Sequence, residues 1–207
     1  MSQTKQKTIF NVNYLVKVAI LGAVARVVML LEFPLPFFPS FLQLDFSDLV
    51  PLMGSFAMGP LAGVLIQLVK CLLHLVTGGI GATGGVGDLA NFIVGAAFVG
   101  AAGLYYKYHK TKSGAVISLL LGSLTMIVAG GIVNYFITIP LYGLAMDWSE
   151  EMILGMSSDV IPAIKDRFTL ILYAFCPFNL LKSVILVIIT LPVYKPLVTA
   201  LRSIHKT

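Results

Sequence analysis

From Phe168 to Tyr194 the chain carries a single charged residue, Lys182, and that run decides what kind of fold is open to it. About 20 apolar residues suffice to cross the hydrocarbon core of a bilayer as a helix. The rest of the chain has the same character, with 58% hydrophobic and 11% charged residues and a mean hydropathy of +0.95. Soluble domains carry about 25% charged residues. The composition therefore predicts an all-α integral membrane protein, a single transmembrane domain over residues 1–207. A net charge of +5 would raise the question of nucleic acid in a soluble protein. Here the basic residues flank the apolar runs, so no nucleic-acid partner is expected.

Six apolar segments divide the sequence: Phe10 to Leu31, Asp48 to Phe56, Pro60 to Val76, Asp88 to Tyr106, Ala115 to Tyr142 and Phe168 to Tyr194. The first is longer than a signal-peptide core and is followed by Glu32-Phe-Pro-Leu-Pro, which reads as a retained helix. The second is too short to span unless the apolar stretch at Leu42 and Leu44 joins it. Met58-Gly59-Pro60 divides it from the third. Three basic clusters, Lys5/Lys7/Lys17, Lys107/Lys110/Lys112 and Lys195/Arg202/Lys206, then fall on one side, which the positive-inside rule makes cytoplasmic. All nine acidic residues, Glu32, Asp45, Asp48, Asp88, Asp147, Glu150, Glu151, Asp159 and Asp166, lie at or near the other side. Both termini are thus expected inside the cell.

The unusual sequence collects on the outer side. The first loop, Glu32 to Asp45, mixes three prolines with four phenylalanines, a stiff aromatic cover for a planar ligand. The second, Thr77 to Asp88, carries six glycines, which either let backbone amides approach a ligand closely or form a flexible connector.

Lys182 follows Asn179 by three residues, so a helix presents both on one face. An ionisable side chain inside a bilayer is expensive, about 3 kcal/mol on insertion scales, and normally faces a polar cavity or a partner. With Asn134 of the fifth segment these residues offer amide donors, amide acceptors and a cation. That set suits a heterocycle whose edge alternates C=O and N–H. The alternative is interhelical hydrogen bonding by each Asn; the nearby lysine favours the site. Lys70 and His74 share a face four residues apart, with Asp45 and Asp48 as expected partners and Arg26 as another candidate, in a structural ion-pair network rather than a proton relay. Ala19 and Ala23, with Gly22 between them, give a flat helix surface, which from spacing alone means packing inside the bundle. Cys71 and Cys176 read as packing residues.

Motifs of catalysis are missing: the sequence has no His-Glu-x-x-His, Gly-x-Ser-x-Gly or Gly-x-x-x-x-Gly-Lys-Ser/Thr. No catalytic residue, metal site or cofactor is expected. If ATP hydrolysis drives transport, another chain performs it.

The residues resemble the membrane S components of energy-coupling factor (ECF) transporters, in particular the riboflavin-binding ones. The resemblance runs from the first to the sixth segment. Its most specific parts are Leu44-Asp-Phe-Ser-Asp-Leu49, Gly59-Pro-Leu-Ala-Gly63, Thr83-Gly-Gly-Val-Gly-Asp-Leu-Ala-Asn91, Asn134-Tyr-Phe with Pro140-Leu-Tyr-Gly143, and Pro177-Phe-Asn-Leu-Leu-Lys182. It implies a six-helix bundle in the bacterial plasma membrane with both termini cytoplasmic, and one vitamin bound near the outer surface beneath the first loop. By that resemblance Asn134, Asn179 and Lys182 would hydrogen-bond the isoalloxazine ring of riboflavin. Phe41, Leu44, Asp45, Thr83, Gly84, Gly85 and Asp88 would supply loop contacts. Ala19 and Ala23 would form the face that docks on a transmembrane T subunit, which two cytoplasmic ATPase subunits energise. Rival readings are an S component for another vitamin, a stand-alone secondary carrier, whose repeated halves are not evident, and a membrane enzyme.

Overall fold

A computed structural model describes residues 11–78 and 83–203, the side chains of 202 and 203 excepted. Phe10, Lys5, Lys7, Lys206, the Arg202 side chain and the Gly79-Ile-Gly-Ala82 part of the glycine loop lie outside the described residues.

The chain is helical almost throughout: α1 (Val12–Met29), α2 (Leu49–Met58), α3 (Pro60–Thr77), α4 (Val86–Tyr108) and α5 (Lys112–Val133) come first. They are followed by α6 (Ile139–Met146), α7 (Glu150–Ser158), α8 (Arg167–Leu170) and α9 (Cys176–Ser203). Among the described residues, five helical stretches are long and apolar enough to cross a membrane. They are Val12–Met29, Pro60–Thr77, Val86–Tyr108, Lys112–Met146 and Arg167–Leu201, while Leu49–Met58 is a shorter apolar helix. The expected break after the second segment is a sharp corner. Gly59 takes φ 103°, a conformation closed to most side chains, and Pro60 starts α3 where its missing N–H is harmless.

Polar side chains cap several helices. Asn11 accepts from the Asn13 amide before α1, and Thr111 accepts from the Gly114 amide before α5. Asp166 and Thr169 form a reciprocal capping box before α8. The backbone N–H and hydroxyl of Thr169 hold the Asp166 carboxyl below its ordinary range.

Small residues let the helices approach one another. A Cβ at Gly63 would meet the Pro51 carbonyl at 2.9 Å, and one at Gly103 would lie 3.2 Å from the Pro60 backbone, so α2, α3 and α4 pack nearly backbone to backbone. Leu52, Phe98, Leu119 and Leu186 are the fully buried centre of that bundle.

A second core sits at the other end. The first loop folds into a minimal antiparallel hairpin, β1 (Phe33–Pro34) with β2 (Gln43–Leu44), which the sequence did not lead one to expect. Of its four phenylalanines, Phe38 turns inward to meet Phe178 edge-on at 5.4 Å, and Phe41 lies 6.1 Å from Phe175 and 6.3 Å from Tyr142. Phe33 and Phe37 face outward. The short α7, also not anticipated, is tied to α8 by the Glu150–Arg167 ion pair, and the Arg167 guanidinium lies over the Tyr135 ring at 5.4 Å.

Candidate functional site

Two prolines shape the site. Pro140 and Pro177 lack an N–H and crowd the carbonyl four residues earlier, which an unbroken α-helix cannot accommodate. In both helices the turn ahead of the proline widens to π geometry, Asn134–Thr138 between α5 and α6 and Ile171–Phe175 between α8 and α9. Such widened turns often accompany functional positions. Asn134 opens the first, and Asn179 follows the second by one helical turn. Both amides are buried. Asn134 Nδ2 donates to the Gly130 carbonyl at 2.7 Å, and Asn179 Nδ2 donates to the Phe175 carbonyl at 2.9 Å. Each amide retains a second N–H and an oxygen that has no hydrogen-bond partner among the described residues.

Lys182 is buried beside them and is not a free cation. Its Nζ lies 2.8 Å from Asp45 Oδ2 and 2.9 Å from Asp48 Oδ2. Asp48 also pairs with Lys70, whose Nζ is 2.6 Å from Oδ1 and donates to Ser47 Oγ and Asn91 Oδ1, both at 2.9 Å. The Ser47 hydroxyl and amide in turn donate to Asp45. Two lysines and two aspartates thus form one neutral buried cluster joining the first loop, α2, α3 and α9. Removing water from such charges is repaid only by close geometry and filled hydrogen bonds. The pairs here are close, and of the four carboxylate oxygens Asp48 Oδ2 is held by its ion pair with Lys182 without a hydrogen bond. The Lys70–Asp48 pair agrees with the network read from the sequence. His74 departs from it: its Nδ1 lies 2.5 Å from Asp88 and its Nε2 3.3 Å from Glu32. Arg26 likewise turns to Thr77, donating from Nε at 2.9 Å.

Above this cluster lies a cavity of about 380 Å³. That is within the range of small-molecule sites, roughly 300–1,000 Å³. Asn134, Asn179 and Lys182 line it together, along with Phe41, Thr83 and Asp88. Four other residues named from the resemblance do not line it. Leu44 is packed in the second core, and Asp45 holds Lys182 from behind. Gly84 lies against Ala145 and Met146, and Gly85, with φ 79°, is the N-cap of α4.

Sequence reasoning missed Phe175 and Phe178 as wall residues. The signal was present, since 175, 178, 179 and 182 share one helical face. It also missed Gln43, Asn91 and Tyr142. Glu32, His74 and Arg26 stand at the end of the cavity where α1, α3 and the start of α4 meet.

A polar wall inside a membrane bundle, roofed by an aromatic loop and held by a neutral charge cluster, is the architecture of a solute-binding transport subunit. Comparison with known proteins agrees. Residues 13–194 match the family "ECF transporter, substrate-specific component", a family of transporter components rather than enzymes. The riboflavin transporter RibU of Staphylococcus aureus is 33% identical over 190 residues, 92% of this chain and 93% of that protein. The riboflavin transporter FmnP of Bacillus subtilis is 32% identical over 200 residues, 94% of this chain and 98% of that protein. A solved structure described as "Structure and mechanism of the S component of a bacterial ECF transporter" superposes with a TM-score of 0.69. It is 31% identical and covers 91% of this chain and 97% of that one. The chain belongs to the substrate-specific components of ECF transporters.

Proposed function

We propose that this chain is the riboflavin-binding specificity subunit of an ECF transporter in the bacterial plasma membrane. The observation that carries the reading is the meeting of Asn134, Asn179 and Lys182 in one cavity with Phe41, Phe175 and Phe178. The isoalloxazine ring is flat and apolar over most of its faces, and one edge alternates C=O and N–H. Aromatic walls suit the faces. An amide presenting one N–H and one C=O suits the edge, and so does the remaining N–H of an ammonium held by two carboxylates. The relatives named as riboflavin transporters support the same ligand. On this reading α2 completes six membrane segments and both termini are cytoplasmic, in line with the three basic clusters. A transmembrane T subunit and two ATPases supply the energy, and the chain itself leaves the vitamin chemically unaltered.

The direct test is the absorption spectrum of detergent-purified protein, followed by calorimetry of stripped protein with riboflavin, thiamine and folate. One-to-one binding of riboflavin is expected. Tight binding of thiamine or folate, with none of riboflavin, would sink the assignment.

Asn134→Ala and Asn179→Ala each remove a partner from a buried edge of the ligand, a loss of about 1–3 kcal/mol. Riboflavin affinity is therefore expected to fall roughly 5- to 150-fold for each, with the unliganded protein as stable to heat as the parent. Unchanged affinity in both would reduce the asparagines to helix–helix contacts.

A further inference from the structure

Gly130, near the end of α5, touches both asparagines. Its carbonyl accepts from Asn134 Nδ2 at 2.7 Å, and it also accepts from the Asn134 backbone N–H. On its other side, a Cβ placed at Gly130 would lie 3.1 Å from Asn179 Cγ and closer still to Nδ2. The three nearest atoms it would meet outside its own helix all belong to the Asn179 amide. Its neighbour Gly131 differs: a Cβ there would make ordinary contacts, 3.4 Å from Ile171 and 3.7 Å from Cys176.

We propose that Gly130 is the positioning residue of the polar wall, its carbonyl anchoring the Asn134 amide and its bare Cα giving the Asn179 amide the space it occupies. The inference rests on the riboflavin reading for its ligand but not for its geometry. The two asparagines come from different helices, and among the described residues the side chain of each hydrogen-bonds only its own helix. Gly130 is where their positions become linked. A methyl group there is accommodated most cheaply by movement of Asn179, since the nearest obstructing atoms are the far end of a side chain and not backbone. Asn179 swings away, abandons its bond to the Phe175 carbonyl, and presents its amide elsewhere. The helix does not suffer, because alanine is the better helix former. The fold is kept and the site is lost.

The test compares Gly130→Ala with Gly131→Ala, and repeats Gly130→Ala in an Asn179→Ala background. In the parent, Gly130→Ala should weaken riboflavin about tenfold or more, as for a buried hydrogen-bonding group left without its partner. Without ligand the variant should still accumulate and unfold cooperatively, the better helix former offsetting part of the lost Asn179 bond, and Gly131→Ala should bind as the parent does. In the Asn179→Ala background the same change should alter affinity by less than about twofold, because the coupled side chain is gone. A readout independent of flavin accompanies these. In protein labelled with 15N-asparagine, the Asn179 side-chain amide resonances, identified by their loss in Asn179→Ala, should shift in Gly130→Ala and stay in place in Gly131→Ala.

Equal loss of affinity in both backgrounds, or an unmoved Asn179 resonance, would overturn the proposal. So would failure of Gly130→Ala to accumulate where Gly131→Ala does, which would assign Gly130 to packing. If the parent itself does not bind riboflavin, the functional reading falls, and the resonance shift still decides the role of Gly130.

Discussion

Lys182→Ala should behave unlike either asparagine substitution and lower the stability of the unliganded protein by about 3–5 kcal/mol, the range for breaking a buried ion pair from one side. The ammonium sits between Asp45 and Asp48 at 2.8 and 2.9 Å, and all three side chains are almost wholly removed from solvent. With Lys182 gone, Lys70 still pairs with Asp48, while among the described residues Asp45 keeps the serine donors of residue 47 and no cation in contact. An uncompensated buried charge is worse than no charge, so the cure is to remove its partner as well. Lys182→Met with Asp45→Asn should recover most of the lost stability while leaving riboflavin binding impaired. Thermal unfolding in detergent, read without flavin, separates the cases. Asn134→Ala and Asn179→Ala should melt with the parent, Lys182→Ala should melt many degrees lower, and the double variant should return toward the parent. A Lys182→Ala midpoint equal to that of the asparagine variants would mean the carboxylates do not depend on this lysine.

The Lys182 pairing is legible in the sequence only in part. A spacing of three residues was enough to put Asn179 and Lys182 on one face, and the expense of a membrane lysine was enough to call for a partner. The partner itself lies 137 residues away in the chain, in a loop whose path no local pattern discloses. His74 shows the same limit at shorter range. It shares a face with Lys70 but stands four residues further along α3, about 6 Å along the axis. At that level it meets the end of α1 and the start of α4, so Glu32 and Asp88 take it while Asp48 stays with Lys70.

Apolar run length and the Gly59-Pro60 corner placed the membrane helices, because hydrophobic length and proline chemistry are local. The hairpin of the first loop follows another rule. Strand side chains alternate sides, so Gln43 reaches the cavity and Leu44 the core, the reverse of what a loop contact at Leu44 requires. The π turns were foreshadowed only by Pro140 and Pro177, and a proline states that a helix must yield without stating how.

The second large effect concerns α1, where Trp or Arg at Ala19 or Ala23 should abolish uptake while riboflavin binding survives. The structure separates the three small residues that the sequence grouped together. Gly22 is buried, and a Cβ there would collide with the Val69 side chain of α3. Ala19 and Ala23 are exposed, one turn apart beside the buried stripe, and are flanked by the exposed apolar side chains of Leu15, Val16, Ile20 and Val24. Two alanines one turn apart leave a shallow place in that surface, where another helix can come close without meeting a long side chain. A bulky or charged residue there fills the depression from outside, and nothing inside the bundle has to move. Ala19 is also two turns from Arg26, where α1 first reaches the cavity, a rise of about 10 Å. Each variant should therefore titrate with riboflavin as the parent does, fail to co-purify with the T subunit and ATPases, and leave cells that depend on external riboflavin unable to grow. Gly22→Trp is the informative contrast: placed against Val69, it should unfold the α1–α3 contact and reduce binding and uptake together. Loss of riboflavin binding in the Ala19 and Ala23 variants would place them inside the bundle after all, and α1 would then have no docking face.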